Sequence, residues 1–92
     1  MERPFTFLLG TTKVVGRFDR VDEPDGQVII IDYKSSAVRD QREADRKAGD
    51  SLQLAIYALA YEQMHERPPE LVQLHFLESG LVGSARKSPT DL

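Results

Sequence analysis

The chain has 92 residues, 40% apolar and 29% charged, with a formal net charge of −3. That length holds one domain with one modest core, and the balance is that of a globular chain rather than a disordered one. The absence of cysteine excludes disulfides, zinc fingers and cysteine-ligated iron–sulfur clusters, no apolar run reaches membrane-spanning length, and an acidic chain does not hold nucleic acid by bulk charge alone.

Pro4 to Leu9 reads as a first strand, closed by Gly10-Thr11-Thr12. Lys13 to Asp22 reads as a second, with Gly16 in its middle marking a bulge or a close backbone approach. Glu23-Pro24-Asp25-Gly26 is a strong turn signal, so the second and third strands should form a hairpin. The third strand is Gln27 to Tyr33, and its unbroken Val28-Ile29-Ile30-Ile31 run suits a strand covered on both faces. Residues 35–49 show no apolar period and read as a mobile loop with room for a helical turn; Lys34, Arg39, Arg42, Arg46 and Lys47 set its charge against Asp40, Glu43 and Asp45. Asp50 or Ser51 caps a helix running to about Glu66, with Leu52, Ala55, Ile56, Leu59 and Ala60 as its buried stripe and Arg67-Pro68-Pro69 as its stop. Leu71 to Leu77 is a fourth strand, alternating Val72, Leu74 and Phe76 with Gln73 and His75. Glu78-Ser79-Gly80 turns into a fifth, Leu81 to Ala85, followed by a tail from Arg86 to Leu92.

The order β-β-β-α-β-β predicts an α/β fold. Strands one to three are antiparallel through short turns, and the helix is a crossover joining strand three to a parallel strand four. The result is a mixed five-stranded sheet in the order 12345.

The third strand ends in Asp32-Tyr33-Lys34. Side chains alternate along a strand, so Asp32 and Lys34 share a face. A hairpin loop with an even number of residues puts Asp19 on that same face, opposite Asp32 or diagonal to it, roughly 5–8 Å away. Two carboxylates that close repel unless a cation lies between them, and Mg²⁺ suits the role because it takes oxygen ligands while keeping waters and a substrate phosphate. Such a pair beside a lysine fits phosphodiester hydrolysis: the metal polarises phosphate and acidifies water, while the lysine orients that water or stabilises developing charge. The same spacing also fits a solvated ion pair at a strand end, which contributes little.

Gly16-Arg17-Phe18-Asp19-Arg20-Val21-Asp22, Ile31-Asp32-Tyr33-Lys34-Ser35 and Gln53-Leu54-Ala55-Ile56-Tyr57 resemble, in order, the successive motifs of the PD-(D/E)XK nuclease superfamily. The match is closer to its RecB-like branch, found in helicase–nucleases of the RecB, AddA and UvrD-related type, and covers roughly residues 2–85. The resemblance implies a restriction-endonuclease-like fold. It makes Asp19 and Asp32 metal-binding, with the backbone carbonyl of Tyr33, and Lys34 catalytic. Gln53 and Tyr57 match a Q-x-x-x-Y signature that holds the DNA strand or orients the site, and Arg20 matches the usual arginine after the first aspartate. Glu2 stands where relatives often carry a glutamate and is a further metal-ligand candidate. Taken without the resemblance, Gln53 also fits a capping box and Tyr57 an ordinary rim aromatic. His65, at a helix end, and His75, on a sheet surface, match no family position.

The resemblance thus leads to the expectation of a Mg²⁺- or Mn²⁺-dependent deoxyribonuclease without an iron–sulfur cluster. Its partners would be single-stranded DNA and a helicase motor in the same polypeptide or complex, in DNA repair or recombination. It would be cytoplasmic and nucleoid-associated, with no membrane partner. Relatives begin with a helix that this chain lacks, so a C-terminal piece of a longer helicase–nuclease is expected, whose activity in isolation would depend on that helix. The alternative is a non-catalytic DNA-binding or docking module that keeps the nuclease fold.

Overall fold

The chain first reverses at Gly10, whose φ of 66° is left-handed and free of strain in glycine. In this computed structural model, which describes residues 3–86, the turn joins β1 (Arg3–Leu9) to β2 (Thr12–Phe18) as an antiparallel hairpin in the register Phe5↔Gly16. Gly16 serves close approach: a Cβ there would lie 2.6 Å from the Phe5 ring. Phe5, Phe7 and Phe18 form the hairpin's buried face, with Phe5 and Phe18 rings 4.8 Å apart and Tyr57 edge-on to both.

The predicted second strand is not continuous. It breaks at Asp19, and β3 (Arg20–Asp22) enters a different sheet. The expected five-stranded order 12345 is therefore replaced by a two-stranded sheet, β1-β2, and a four-stranded sheet in the order β3-β4-β5-β6. The cause is local: the Asp19 carboxylate accepts the Tyr33 N–H, so a side chain takes the place of a ladder acceptor and main-chain pairing stops. β4 is Ile29–Lys34, antiparallel to β3 and parallel to β5 (Leu71–Phe76). β6 (Val82–Ala85) closes the sheet antiparallel to β5. The turn between β3 and β4 is a 3-10 turn at Pro24–Gly26 with left-handed Asp25 and Gly26. Just before β4, the Val28 N–H donates to the Glu70 carboxylate and its carbonyl accepts from Glu70 and Leu71.

The segment read as a loop contains a helix, α1 (Gln41–Asp50). Its core face is only Ala44 and Ala48, both fully buried, one turn apart and too small to show as an apolar period. Gln41, Arg42, Glu43, Arg46 and Lys47 are good helix formers, and Asp40 caps the start by accepting the Glu43 N–H at 2.9 Å. Small residues allow close packing: a Cβ on Gly83 of β6 would collide with the Ala44 carbonyl. Gln41 donates to the Val82 carbonyl at 2.6 Å, and Asp45 accepts the Ser84 N–H at 3.1 Å.

α2 (Leu52–His65) follows directly, with Ser51 capping it through the Leu54 N–H. Its expected stripe needs correction. Ala55, Leu59 and Ala60 are buried, but Leu52 is 71% exposed, and Leu54, Tyr57, Ala58 and Tyr61 are buried as well. α2 packs on β1 on one side and on β4 and β5 on the other, so it is apolar around most of its circumference. Both helices lie on the sheet face carrying Ile30, Asp32, Leu74 and Gly83. The opposite face, with Ile29, Ile31, Tyr33 and His75, has no helix over it among the described residues. No helix there is long and apolar enough to cross a membrane.

Candidate active site

Alternation along β4 puts Ile30, Asp32 and Lys34 under α2. Ile30 is fully buried and Asp32 is 3% exposed, so Asp32 is not a solvated surface carboxylate. The β3–β4 register pairs Arg20 with Ile31; one step further brings Asp19 opposite Asp32. The two carboxyl groups are near enough for Asp19 to raise the Asp32 pKa. Asp19 Oδ2 also accepts the Tyr33 N–H at 3.1 Å. In an extended strand a residue's N–H and C=O leave by the same edge, so the Tyr33 carbonyl leaves beside Asp19. The Lys34 carbonyl, one residue on, leaves by the other edge and accepts from Leu77.

Lys34 Nζ stands 3.1 Å from Asp32 Oδ2, but off the line of a hydrogen bond, so this buried oxygen accepts none among the described residues. The ammonium donates instead to Gln53 Oε1 at 3.1 Å, and Gln53 Nε2 donates to the Tyr57 hydroxyl at 2.8 Å. Gln53 therefore has no capping-box role; Ser51 is the N-cap and Gln53 reaches over the sheet. Burial raises the Tyr57 pKa, which keeps the phenol protonated, so it accepts from Gln53 and retains its own proton to donate.

Burial is also the first cause that pushes the Asp32 carboxyl up to about 6; the neighbouring Asp19 carboxyl adds to it, and Lys34 pulls the other way. An oxygen buried without a donor, next to a second carboxylate and a backbone carbonyl, is a donor set for a small hard cation. Among the described residues no group of three His, Asp or Glu side chains converges anywhere. Two carboxylates and a carbonyl nevertheless suit Mg²⁺, which is typically held by one or two carboxylates and keeps several waters.

Of the residues singled out from sequence, the structure brings together Asp19, Asp32, Lys34, Gln53, Tyr57 and the Tyr33 main chain. Arg20 is not among them: its side chain leaves the opposite face, where it donates to Asp22 and Tyr33. Glu2 lies outside the described residues. His65 stacks on Tyr61 at the end of α2. His75 lies on the open face, edge-on to Tyr33 at 5.7 Å, with its pKa lowered by burial and then by the Arg20 guanidinium. Arg39, just before α1, and Arg42 and Arg46 on it line a surface hollow with Asp40 and Glu43; Arg39 pairs with Glu43 and Arg46 with Asp50, each one turn on.

Among protein families, the model described as the PD-(D/E)XK nuclease superfamily matches residues 1–88. No curated protein matches the chain.

Proposed function

The chain belongs to the PD-(D/E)XK nuclease superfamily, and on that premise we propose that it is the core of a Mg²⁺- or Mn²⁺-dependent deoxyribonuclease of the RecB-like branch, working with a DNA helicase in repair or recombination. One observation carries the reading: a buried Asp32 oxygen without a hydrogen-bond donor, 3.1 Å from the Lys34 ammonium and beside the Asp19 carboxyl group. Burying a charge without full pairing costs several kcal/mol, and a fold keeps such a group where a ligand completes it.

Asp19, Asp32 and the Tyr33 carbonyl would hold the cation, which supplies Lewis acidity toward the phosphoryl oxygens and acidifies water there. The protein's own groups do the rest. Lys34 Nζ, held by Gln53 Oε1, stands beside the carboxylate pair and balances negative charge as it grows on the phosphate. The ammonium, a donor only, requires the Gln53 oxygen to face it, and the amide nitrogen is then held by donating to the Tyr57 hydroxyl. With its pKa about 6, Asp32 is ionised above neutrality and ready for a cation. The net charge of −3 fits a domain to which DNA is delivered by a motor rather than captured by its own field.

An amide NMR titration with Mn²⁺, paired with a single-stranded DNA cleavage assay, tests the proposal. Broadening confined to Asp19, Asp32, Tyr33 and Lys34, and abolished by Asp32→Ala, is the expected result. Diffuse broadening that the substitution leaves unchanged would refute it. The alternative of a docking module without turnover predicts metal uptake with no cleavage by any form of the protein containing this chain.

A further inference from the structure

We propose that Arg20 is a positioning residue, which sets the Tyr33 main chain against Asp19 from the far side of the sheet. The inference rests on the nuclease reading, because it concerns two of the groups that would hold the cation.

The need for such a device follows from the break in the second strand. β3 and β4 pair only over Arg20–Asp22 and Ile29–Ile31, and the chain leaves the sheet at Asp19. Beyond Ile31 no ladder bond from β3 holds β4. Across that gap the Tyr33 N–H donates to Asp19 Oδ2. The Tyr33 carbonyl leaves by the same edge, so its aim depends on how the Tyr33 peptide is rotated.

The Tyr33 side chain, on the opposite face, is clamped from both neighbouring strands. From β3, Arg20 Nη1 donates to the Tyr33 hydroxyl at 3.2 Å, while Arg20 Nε donates to Asp22 Oδ1 at 2.8 Å. The guanidinium thus uses two edges of its planar fork, one to anchor itself on its own strand and one to hold the neighbouring strand. From β5, His75 meets the ring edge-on, at an interplanar angle of 89°. His75 is itself fixed by Gln73 Oε1 at 2.9 Å, and Gln73 reaches Ser84 Oγ at 3.3 Å. The clamp spans all four strands, and Tyr33 is the one member whose main chain belongs to the site. A lysine cannot reproduce it, because an ammonium lacks the rigid two-edged fork.

A plain surface ion pair is the competing description. Arg20 and Asp22 side chains are 49% and 36% exposed, and such pairs contribute little to stability. The two descriptions separate by where the loss is read.

The experiment compares wild type with Tyr33→Phe, Arg20→Lys and the double variant. Tyr33→Phe keeps the ring on His75 and removes only the acceptor hydroxyl. Three readouts are taken: the urea midpoint, the shift and exchange rate of the residue-33 amide, and Mn²⁺ affinity from broadening at residues 19 and 32. The expected result is an unchanged midpoint, a residue-33 amide that shifts upfield and exchanges faster, and Mn²⁺ affinity lowered about tenfold, as for other partners that orient ligands. The double variant should be no worse than either single one, because both remove the same contact. A residue-33 amide unchanged in Tyr33→Phe overturns the inference, as does a fall in midpoint that accounts for the faster exchange. If wild type takes up no Mn²⁺ at residues 19 and 32, the nuclease reading fails, while the amide still reports on the clamp.

Discussion

Replacing Asp32 by asparagine should stabilise the metal-free protein at alkaline pH. The Asp32 carboxyl titrates at about 6 in the folded chain against a reference of 3.8. The native state therefore binds this proton more tightly than the unfolded chain. The stability it confers is fully present below about pH 4 and is lost as pH rises through about 6. At 1.36 kcal/mol per pKa unit, the ionised group costs the fold on the order of 3 kcal/mol. Asparagine has the shape of the protonated acid and cannot ionise. At pH 8 in EDTA, Asp32→Asn should gain about 2–3 kcal/mol, and at pH 4 almost nothing. For a domain of this size each kcal/mol moves Tm by roughly 4–8 °C, so thermal melts at the two pH values, cross-checked by urea, resolve the effect. Adding Mn²⁺ at ten times its Kd should restore about 1.4 kcal/mol to the wild type alone. An asparagine variant that is less stable than wild type at pH 8 would refute the reasoning, because it would mean that pairing with Lys34 outweighs burial and that the carboxylate is an ordinary structural partner.

Metal uptake and cleavage should both rise with pH through about 6, since below it the proton on Asp32 competes with the cation; a profile flat from pH 5 to 8 would contradict the assignment. Gln53→Ala frees the Lys34 ammonium and should lower kcat by about 10–100-fold, the range for partners that orient a functional group, with the urea midpoint unchanged because Gln53 is exposed. Gly83→Ala should cost about 1–3 kcal/mol as an overpacking change, with NMR shifts concentrated in α1, because the added methyl meets the Ala44 carbonyl. Ser51→Ala removes the α2 cap and should cost about 1 kcal/mol by urea denaturation.

The site was more legible in the sequence than the sheet that carries it. Period-two alternation is enough to place Asp32 with Lys34, and the even span between Asp22 and Ile29 brings Asp19 to the same face. The i, i+4 spacing of Gln53 and Tyr57 puts both above it. Alternation applied to Arg20 also gives its side chain to the other face, a consequence that family position alone obscures. Two features were hidden for physical reasons. The break at Asp19 comes from a side chain competing for one N–H in a sequence, Arg17-Phe18-Asp19-Arg20-Val21, that alternates well enough for a continuous strand. α1 was hidden because its buried face is two alanines, and the pattern that identifies helices is carried by large apolar residues.

Those alanines bring α1 close enough for its polar side chains to act on the sheet. Gln41 and Asp45 meet the outward carbonyl of Val82 and N–H of Ser84, groups that the last strand of a sheet ordinarily offers to another chain. The amide and the carboxylate thus stand in for a fifth strand of this sheet. They close this edge to recruitment by a second molecule, and a surface that would otherwise invite end-to-end association between copies is spent within one chain.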